Sequence, residues 1–296
     1  MDLNDDGKID ILSGCYAHDA NKEGMAGLFS VFWGQKGRSW KRPEVLNGSD
    51  GEPLIITAGG QDPDIDRICT RPTAVDLDGD GKLDIVSGNF RGTFAFFAGQ
   101  GKGKFAEKST LLMADGAPLA VNSHSDPSFV DWDRDGDLDL VTGSAHGGVF
   151  LCENSGSAKE PKFQKPRTLL EVAKRESGKL GDEHLTGPLD DSRVCVDDVN
   201  DDGKFDLLVG DNVSLVQPGK GVAPAVAAAK FRDFEAKRGE LVSRRPAEGA
   251  AEAAMKKFDD EFEKLRKDVE KFVSFERTGF VWVLYQKSPA PVTGTR

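Results

Sequence analysis

Three observations on this 296-residue sequence predict an all-β fold assembled from radially repeated, four-stranded units. One thirteen-residue pattern occurs four times, at Asp2 (DLNDDGKIDILSG), Asp76 (DLDGDGKLDIVSG), Asp131 (DWDRDGDLDLVTG) and Asp198 (DVNDDGKFDLLVG). Each copy leads into β-branched and aliphatic residues of strand type. Turn residues then separate the runs, with 34 Gly and 14 Pro in the chain. The shared pattern is D-x-[DN]-x-D-G-x-x-D, two aliphatic residues, one further residue and Gly, with starts 74, 55 and 67 residues apart. Four short antiparallel strands in each such interval are the mark of a β-propeller blade, and four blades are visible.

Taken in order, each unit opens on a short apolar stretch before its acidic loop, at 72–75, 129–130 and 194–196. The loop follows, then the aliphatic run, then a Gly-rich turn and an alternating aromatic run at 27–33, 93–97, 149–152 or 280–285. A fourth apolar stretch, such as 109–113 or 167–172, closes the unit. The first loop begins at residue 2, so the first blade is expected to lack its leading strand, and no fourth strand is evident after Tyr285. A partial or truncated ring is therefore expected, with further blades or domains upstream in a longer protein. Blades occupy 1–215 on this reading, interrupted at 216–276, with a returning strand of the last blade at 277–287 and a disordered tail at 288–296. In the interruption Met255, Phe258, Phe262, Leu265, Val269 and Phe272 recur at spacings of 3, 4, 3, 4 and 3, an amphipathic helical stripe. An Ala-rich stretch over 222–241 supplies a second helix, with Arg244, Arg245 and Pro246 at the break. A helical hairpin inserted in the last blade follows, its stripe packed on the partner helix or the rim.

Charge and composition exclude several functions. With 39 Lys and Arg against 50 Asp and Glu, the net charge is -11 and no basic cluster exists, so nucleic acid and anionic membrane surfaces are poor partners. No apolar run approaches the roughly 20 residues of a membrane span. Cys15, Cys69, Cys152 and Cys195 match no zinc or redox spacing and are either buried thiols, the favoured reading, or up to two disulfides in any of three pairings. There is no nucleophile elbow, no H-E-x-x-H and no phosphate-cradling loop.

The acidic loops carry the chemistry. Hard divalent cations of calcium size take six to eight oxygen ligands, and alternating carboxylates on a tight loop supply them. Positions 1, 3, 5 and 9 bring the side chains, and position 7 can add a backbone carbonyl. The candidate ligand sets are Asp2, Asn4, Asp6 and Asp10; Asp76, Asp78, Asp80 and Asp84; Asp131, Asp133, Asp135 and Asp139; Asp198, Asn200, Asp202 and Asp206. Carboxylates this close repel one another without a counter-ion, so up to four Ca²⁺ are expected. EF-hand and dockerin loops are excluded because position 12 is Ser13, Ser87, Thr142 or Val209 and a strand run follows.

On these residues, and on the G-G-V-F-L-C-E-N run at 147–154, the chain resembles FG-GAP and VCBS-type repeats, the calcium-loop blades of integrin-α-like propellers. The resemblance covers 2 to about 215 and resumes at 278–287. It implies an extracellular or cell-surface, calcium-stabilised propeller that binds proteins or glycans, and some relatives accompany polysaccharide-degrading enzymes. Seven blades are usual in that family, against four here.

Strand direction supplies a second candidate site. If the acidic loop joins strands one and two, strand two carries the chain roughly 20 Å to the opposite rim, where the next turns and the blade links gather. His18, Arg91, His124, His146 and His184 fall in those segments and are the ligand-face candidates, with His124 and His146 as the leading pair. Trp33, Trp40, Trp132 and Trp282 are read as blade packing. Adhesion, or protein or glycan binding, is the first functional reading. A polysaccharide lyase or hydrolase, or its accessory domain, using Arg91 and His146 is the second, and a structural spacer the third.

Overall fold

In the computed structural model the described residues are 1–16, 26–37, 39–57, 63–247 and 251–287. The proposed tail at 288–296 and His18 lie outside them. The chain divides into two compact units: Met1–Val172 with Pro188–Asp211 and Val281–Arg296, and Ala173–Gly187 with Asn212–Phe280.

Four blades arranged as a β-propeller are present. The first contains β1 (Ile11–Ser13), β2 (Ser30–Phe32) and β3 (Glu44–Val45), paired in that order. A short helix, α1 (Pro63–Arg67), precedes the second blade, whose strands are β4 (Arg71–Val75), β5 (Asp84–Gly88), β6 (Phe94–Phe97) and β7 (Thr110–Leu111). The third contains β8 (Asp126–Val130), β9 (Asp139–Gly143), β10 (Val149–Cys152) and β11 (Arg167–Leu170). Both are antiparallel meanders in matching register: Arg71 faces Gly88 and Val75 faces Asp84, as Asp126 faces Gly143 and Val130 faces Asp139. The fourth uses β12 (Asp190–Asp197), the first part of β13 (Asp206–Pro218) and, after a long excursion, β15 (Val281–Leu284), which pairs Leu207 with Leu284 and Gly210 with Val281.

The middle strands are near-continuous apolar runs because each face of a blade packs on a different neighbour. Ile85 of β5 joins Phe29, Val31, Leu54, Ile56 and Phe97 in one core, while adjacent Val86 joins Phe94, Leu119, Leu140 and Cys152 in the next. Likewise Leu140 and Val141 of β9 serve two cores, the latter with Val149, Leu151, Val194 and Val209. Each fully buried Phe or Leu stabilises by about 1.5–3 kcal/mol, so these interblade cores hold the propeller together.

The last residue of the repeat is explained by its neighbour. A Cβ on Gly14, Gly88 or Gly143 would overlap the carbonyl of Thr70, Ser125 or Ser192, the residue just ahead of the next blade's inner strand or within it. Beside each contact the blades are joined by a backbone bond: Thr70 N donates to Cys15 O (3.1 Å), Ser125 N to Asn89 O (3.2 Å) and Ser192 N to Ser144 O (2.9 Å). Only glycine lets the two backbones approach that closely.

The second unit holds the helical hairpin, α2 (Pro224–Ser243) and α3 (Glu252–Val269), and β14 (Val273–Thr278), which pairs with 213–218 of β13. Strand structure thus reaches Pro218 and resumes at Val273, inside the segment the periodicity assigns to helix. Ala227, Phe231 and Phe234 of α2 bury against Leu265 and Val269 of α3 and against Val216 and Val273, so the C-terminal half of the stripe packs on its partner helix and on strand residues of the same unit. Phe258 and Phe262 stack on each other at 6.3 Å. Among the described residues no helix is long and apolar enough to cross a membrane. The four cysteines are free thiols, Cys69 and Cys152 buried, Cys15 half-buried and Cys195 exposed.

Candidate metal centres and the opposite face

The second, third and fourth acidic loops join the first two strands of their blades, the first leads directly into β1, and all four fold by one scheme. The position 1 carboxylate accepts the amides of positions 5 and 6, at 3.0 and 2.7 Å for Asp2, 3.0 and 3.0 Å for Asp76, 3.0 and 3.1 Å for Asp131, and 2.9 and 2.7 Å for Asp198. The position 3 side-chain oxygen of Asn4, Asp78, Asp133 or Asn200 accepts the position 5 amide as well. These bonds curl the loop so that its side-chain oxygens converge. The curl needs left-handed backbone at position 4, occupied by Asp5, Gly79, Arg134 and Asp201 at φ 57 to 64°.

Position 9 has a second task. Asp10, Asp84, Asp139 and Asp206 are at most 3% exposed. One oxygen of each accepts the amide of position 2, from Leu3, Leu77, Trp132 or Val199 at 2.8–3.3 Å. The other accepts an amide at the far end of the blade's third strand, from Gly34, Gly99, Asn154 or Gln286 at 2.7–2.9 Å. Burial pushes the Asp84 and Asp139 carboxyls up, against the opposing pull of those amides. This strap is invisible in the loop spacing, since its partner lies 15 residues further on in the middle blades.

Carboxylate oxygens of Asp76, Asp78 and Asp84 lie within 4.8 Å of one another, as do those of Asp131, Asp133 and Asp135. Either set could hold a metal ion: the donors are hard oxygens, and metal-oxygen distances of about 2.3–2.6 Å place ligands that far apart across an ion. Loops one and four keep the fold of the other two with one carboxylate fewer, through Asn4 and Asn200.

Position 7 contributes more than its carbonyl. Lys8, Lys82 and Lys204 place Nζ at 2.8, 2.6 and 2.7 Å from the position 5 carboxylate and hold Asp6, Asp80 and Asp202 below the usual carboxylate range. The third loop has Asp137 there instead. It is 7% exposed, its Oδ1 has no hydrogen-bond partner among the described residues, and burial with Asp135, Asp139, Asp133 and Asp131 around it pushes its carboxyl up. The K, K, D, K series at position 7 is legible in the repeats and marks loop three as different. That loop also reaches its neighbour: Arg134 donates to the Gly203 carbonyl of loop four and sits 5.8 Å over the Phe205 ring, which stacks on Trp132.

At the other end of the blades, Arg91 pairs with Asp66 and lines a cavity of about 190 Å³ with Ile56, Asn89 and Thr93. His124 packs edge-on against Phe90 at 4.6 Å and points Nδ1 toward Asp191 at 3.4 Å. His146 is exposed, with Nδ1 3.2 Å from the Asn122 carbonyl. His184 belongs to the second unit, beside Arg175, Ser214 and Phe231. Trp33, Trp132 and Trp282 pack against blade cores, and Trp40, more exposed, donates to the Ile9 carbonyl.

Residues 76–142, from the start of the second acidic loop into the third blade's second strand, match the FG-GAP-like repeat family. No curated protein sequence matches the chain. The chain thus carries an FG-GAP-type repeat within a four-bladed propeller.

Proposed function

We propose that this chain is an extracellular, calcium-binding propeller module for adhesion, or for protein or glycan binding, with up to four Ca²⁺ in the acidic loops and the ligand on the opposite face. One observation carries the reading: four loops of one geometry, two of them with three carboxylate oxygens gathered within 4.8 Å. The FG-GAP-type repeat supports it, and so does the acidic surface, which disfavours nucleic acid. The ion would neutralise carboxylates that otherwise repel across a few ångströms. Positions 1, 3 and 5 are the ligands on this reading, with position 9 shared between ion and strap.

Titration calorimetry with calcium, and melting with calcium against excess EDTA, test this. A site holding calcium at a hundred times its dissociation constant stabilises by about 2.7 kcal/mol, so a clear loss of melting temperature on chelation is expected. An unchanged melting temperature and no heat of calcium binding would overturn it. The lyase or hydrolase reading gains no support from the geometry, where Arg91 binds Asp66 and His146 faces a backbone carbonyl.

A further inference from the structure

Five residues ahead of the second, third and fourth acidic loops stand Arg71, Asp126 and Arg193, at one register position of β4, β8 and β12. Their side chains and those of the residues two positions earlier interlock across the blades. Arg71 Nη1 donates to the His124 carbonyl at 2.6 Å, and Asp126 Oδ2 accepts the Val194 amide at 3.3 Å. Arg193 Nη1 spends itself on the Asp191 and Ser192 carbonyls, at 3.1 and 3.2 Å. The remaining nitrogens of both guanidinium groups have no hydrogen-bond partner among the described residues. The His124 that accepts Arg71 points its Nδ1 at Asp191 Oδ1, 3.4 Å away, and the Asp191 carbonyl accepts Arg193, so the two cations are linked through two residues; in keeping with this, burial and the charge of Arg193 lower the Arg71 pKa.

Two further features mark this end of the blades. Cys69, His124 and Asp191 share one repeat position and all adopt left-handed backbone, at φ 57, 49 and 53°. Such conformations cost stability in non-glycine residues and gather where a site must be shaped. His124 Nε2 and Ser192 Oγ are buried and unpartnered among the described residues. In a chain of net charge -11, paired arginines with free donors on the inner strands are a local exception.

We infer that Arg71 and Arg193 form an anion-binding site at the inner-strand ends, taking the carboxylate of a small hydroxylated acid such as an acidic sugar. Guanidinium forks match a planar carboxylate in two-point geometry. Asp126, one oxygen of which takes the Val194 amide, offers an acceptor for a hydroxyl beside it, and the rings of Phe90 and Tyr16, the latter 6.4 Å from His124, offer apolar flanks. This deepens the recognition role proposed above by naming a ligand class, and it does not need the metal.

The test is calorimetry on the full chain with glucuronate, glucose and sulfate as probes, with calcium binding measured on the same samples. Glucuronate is expected to bind and glucose not to. Arg71→Gln or Arg193→Gln should weaken glucuronate by about tenfold or more, as loss of a charge-assisted fork does. Arg71→Lys and Arg193→Lys keep the charge and lose the fork, and are expected to weaken it too; they decide the matter if a Gln variant does not fold. Glucuronate binding that survives all four substitutions, no glucuronate binding, or sulfate bound more tightly than glucuronate would each overturn the assignment. A failed calcium titration beside intact glucuronate binding would refute the calcium reading alone.

Discussion

Replacing Asp139 with Ala separates the strap from the ion. In the structure the Asp139 carboxylate, 1% exposed, accepts the Trp132 amide at 2.9 Å and the Asn154 amide at 2.7 Å. Truncation orphans two backbone donors, one of them at the buried end of the third strand. A donor left unsatisfied in the interior costs about 1–3 kcal/mol, so the pair costs about 2–6 kcal/mol with no metal present. At roughly 2–4 °C per kcal/mol for a domain of this size, melting in excess EDTA should fall by roughly 5–20 °C. Asp133→Ala provides the contrast: Asp133 is exposed and among the described residues its carboxylate accepts only the loop's own Asp135 amide, so its melting temperature in EDTA should stay near the wild type's. In calcium Asp133→Ala should fall below the wild type as well, because it then loses a ligand. Asp139→Asn keeps one acceptor and should lie between wild type and Ala in EDTA. Equal melting of Asp139→Ala and Asp133→Ala in EDTA, measured by circular dichroism, would refute the strap.

Loop three should bind calcium most tightly, because Asp135 carries no lysine and Asp137 adds a carboxylate; Asp137→Lys is expected to weaken that site and Lys82→Ala to tighten loop two, read by calorimetry. Gly143→Ala should destabilise by about 1–3 kcal/mol, since its Cβ would overlap the Ser192 carbonyl of the next blade, and chemical denaturation measures it. Arg134→Ala should make calcium binding to loops three and four independent if the Gly203 contact couples them, which a two-site titration reads. Burial, reinforced by Arg71 and Arg193 against the pull of Asp191, holds His124 below its ordinary 6.5, so folded His124 stays neutral while the unfolded chain takes up a proton. Its contribution is complete above that pH and falls away as the pH drops through the lowered folded value; His124→Asn should flatten the loss of stability that sets in below pH 6.5, read by thermal melts across that range.

What the sequence discloses follows from the range of each interaction. The loop scheme is local: donors and acceptors lie within five residues, so spacing alone exposes positions 1, 3 and 5. The alternating runs of β6 and β10 are likewise local, and their strands fall where the pattern places them. The thirteenth glycine is read as a motif mark, but its cause is Ser125 or Ser192, in the next blade. The strap of position 9 is similarly non-local, ending 80 residues away for Asp206, across the helical hairpin. The strand at 273–278 is missed because its partner, 213–218, lies on the far side of that hairpin and β14 is exposed at all but its ends. Arg71, Asp126 and Arg193 stand at one offset from each repeat, yet nothing local distinguishes an inner strand from an outer one. Their relation emerges only once blade order is known.

The two ends of an inner strand have separate electrostatics. Arg71 opens β4 and Asp76 follows its last residue, five positions on, which at about 3.3 Å per residue is roughly 17 Å. The screening length is about 8 Å at physiological ionic strength, so the charge of an ion in the acidic loop is largely lost at the arginine end wherever solvent lies between. Calcium therefore has little direct attraction or repulsion to offer a carboxylate bound there. Its route to that end is mechanical, through Asp84 and Asp139, each of which fixes its loop to the third strand while opening the second strand, whose other end is Gly88 or Gly143 against the next blade. If chelation alters acid binding at all, it should do so together with blade stability and with the same dependence on Asp139. An acid affinity that drops on chelation while melting stays constant would show a coupling that this geometry does not contain.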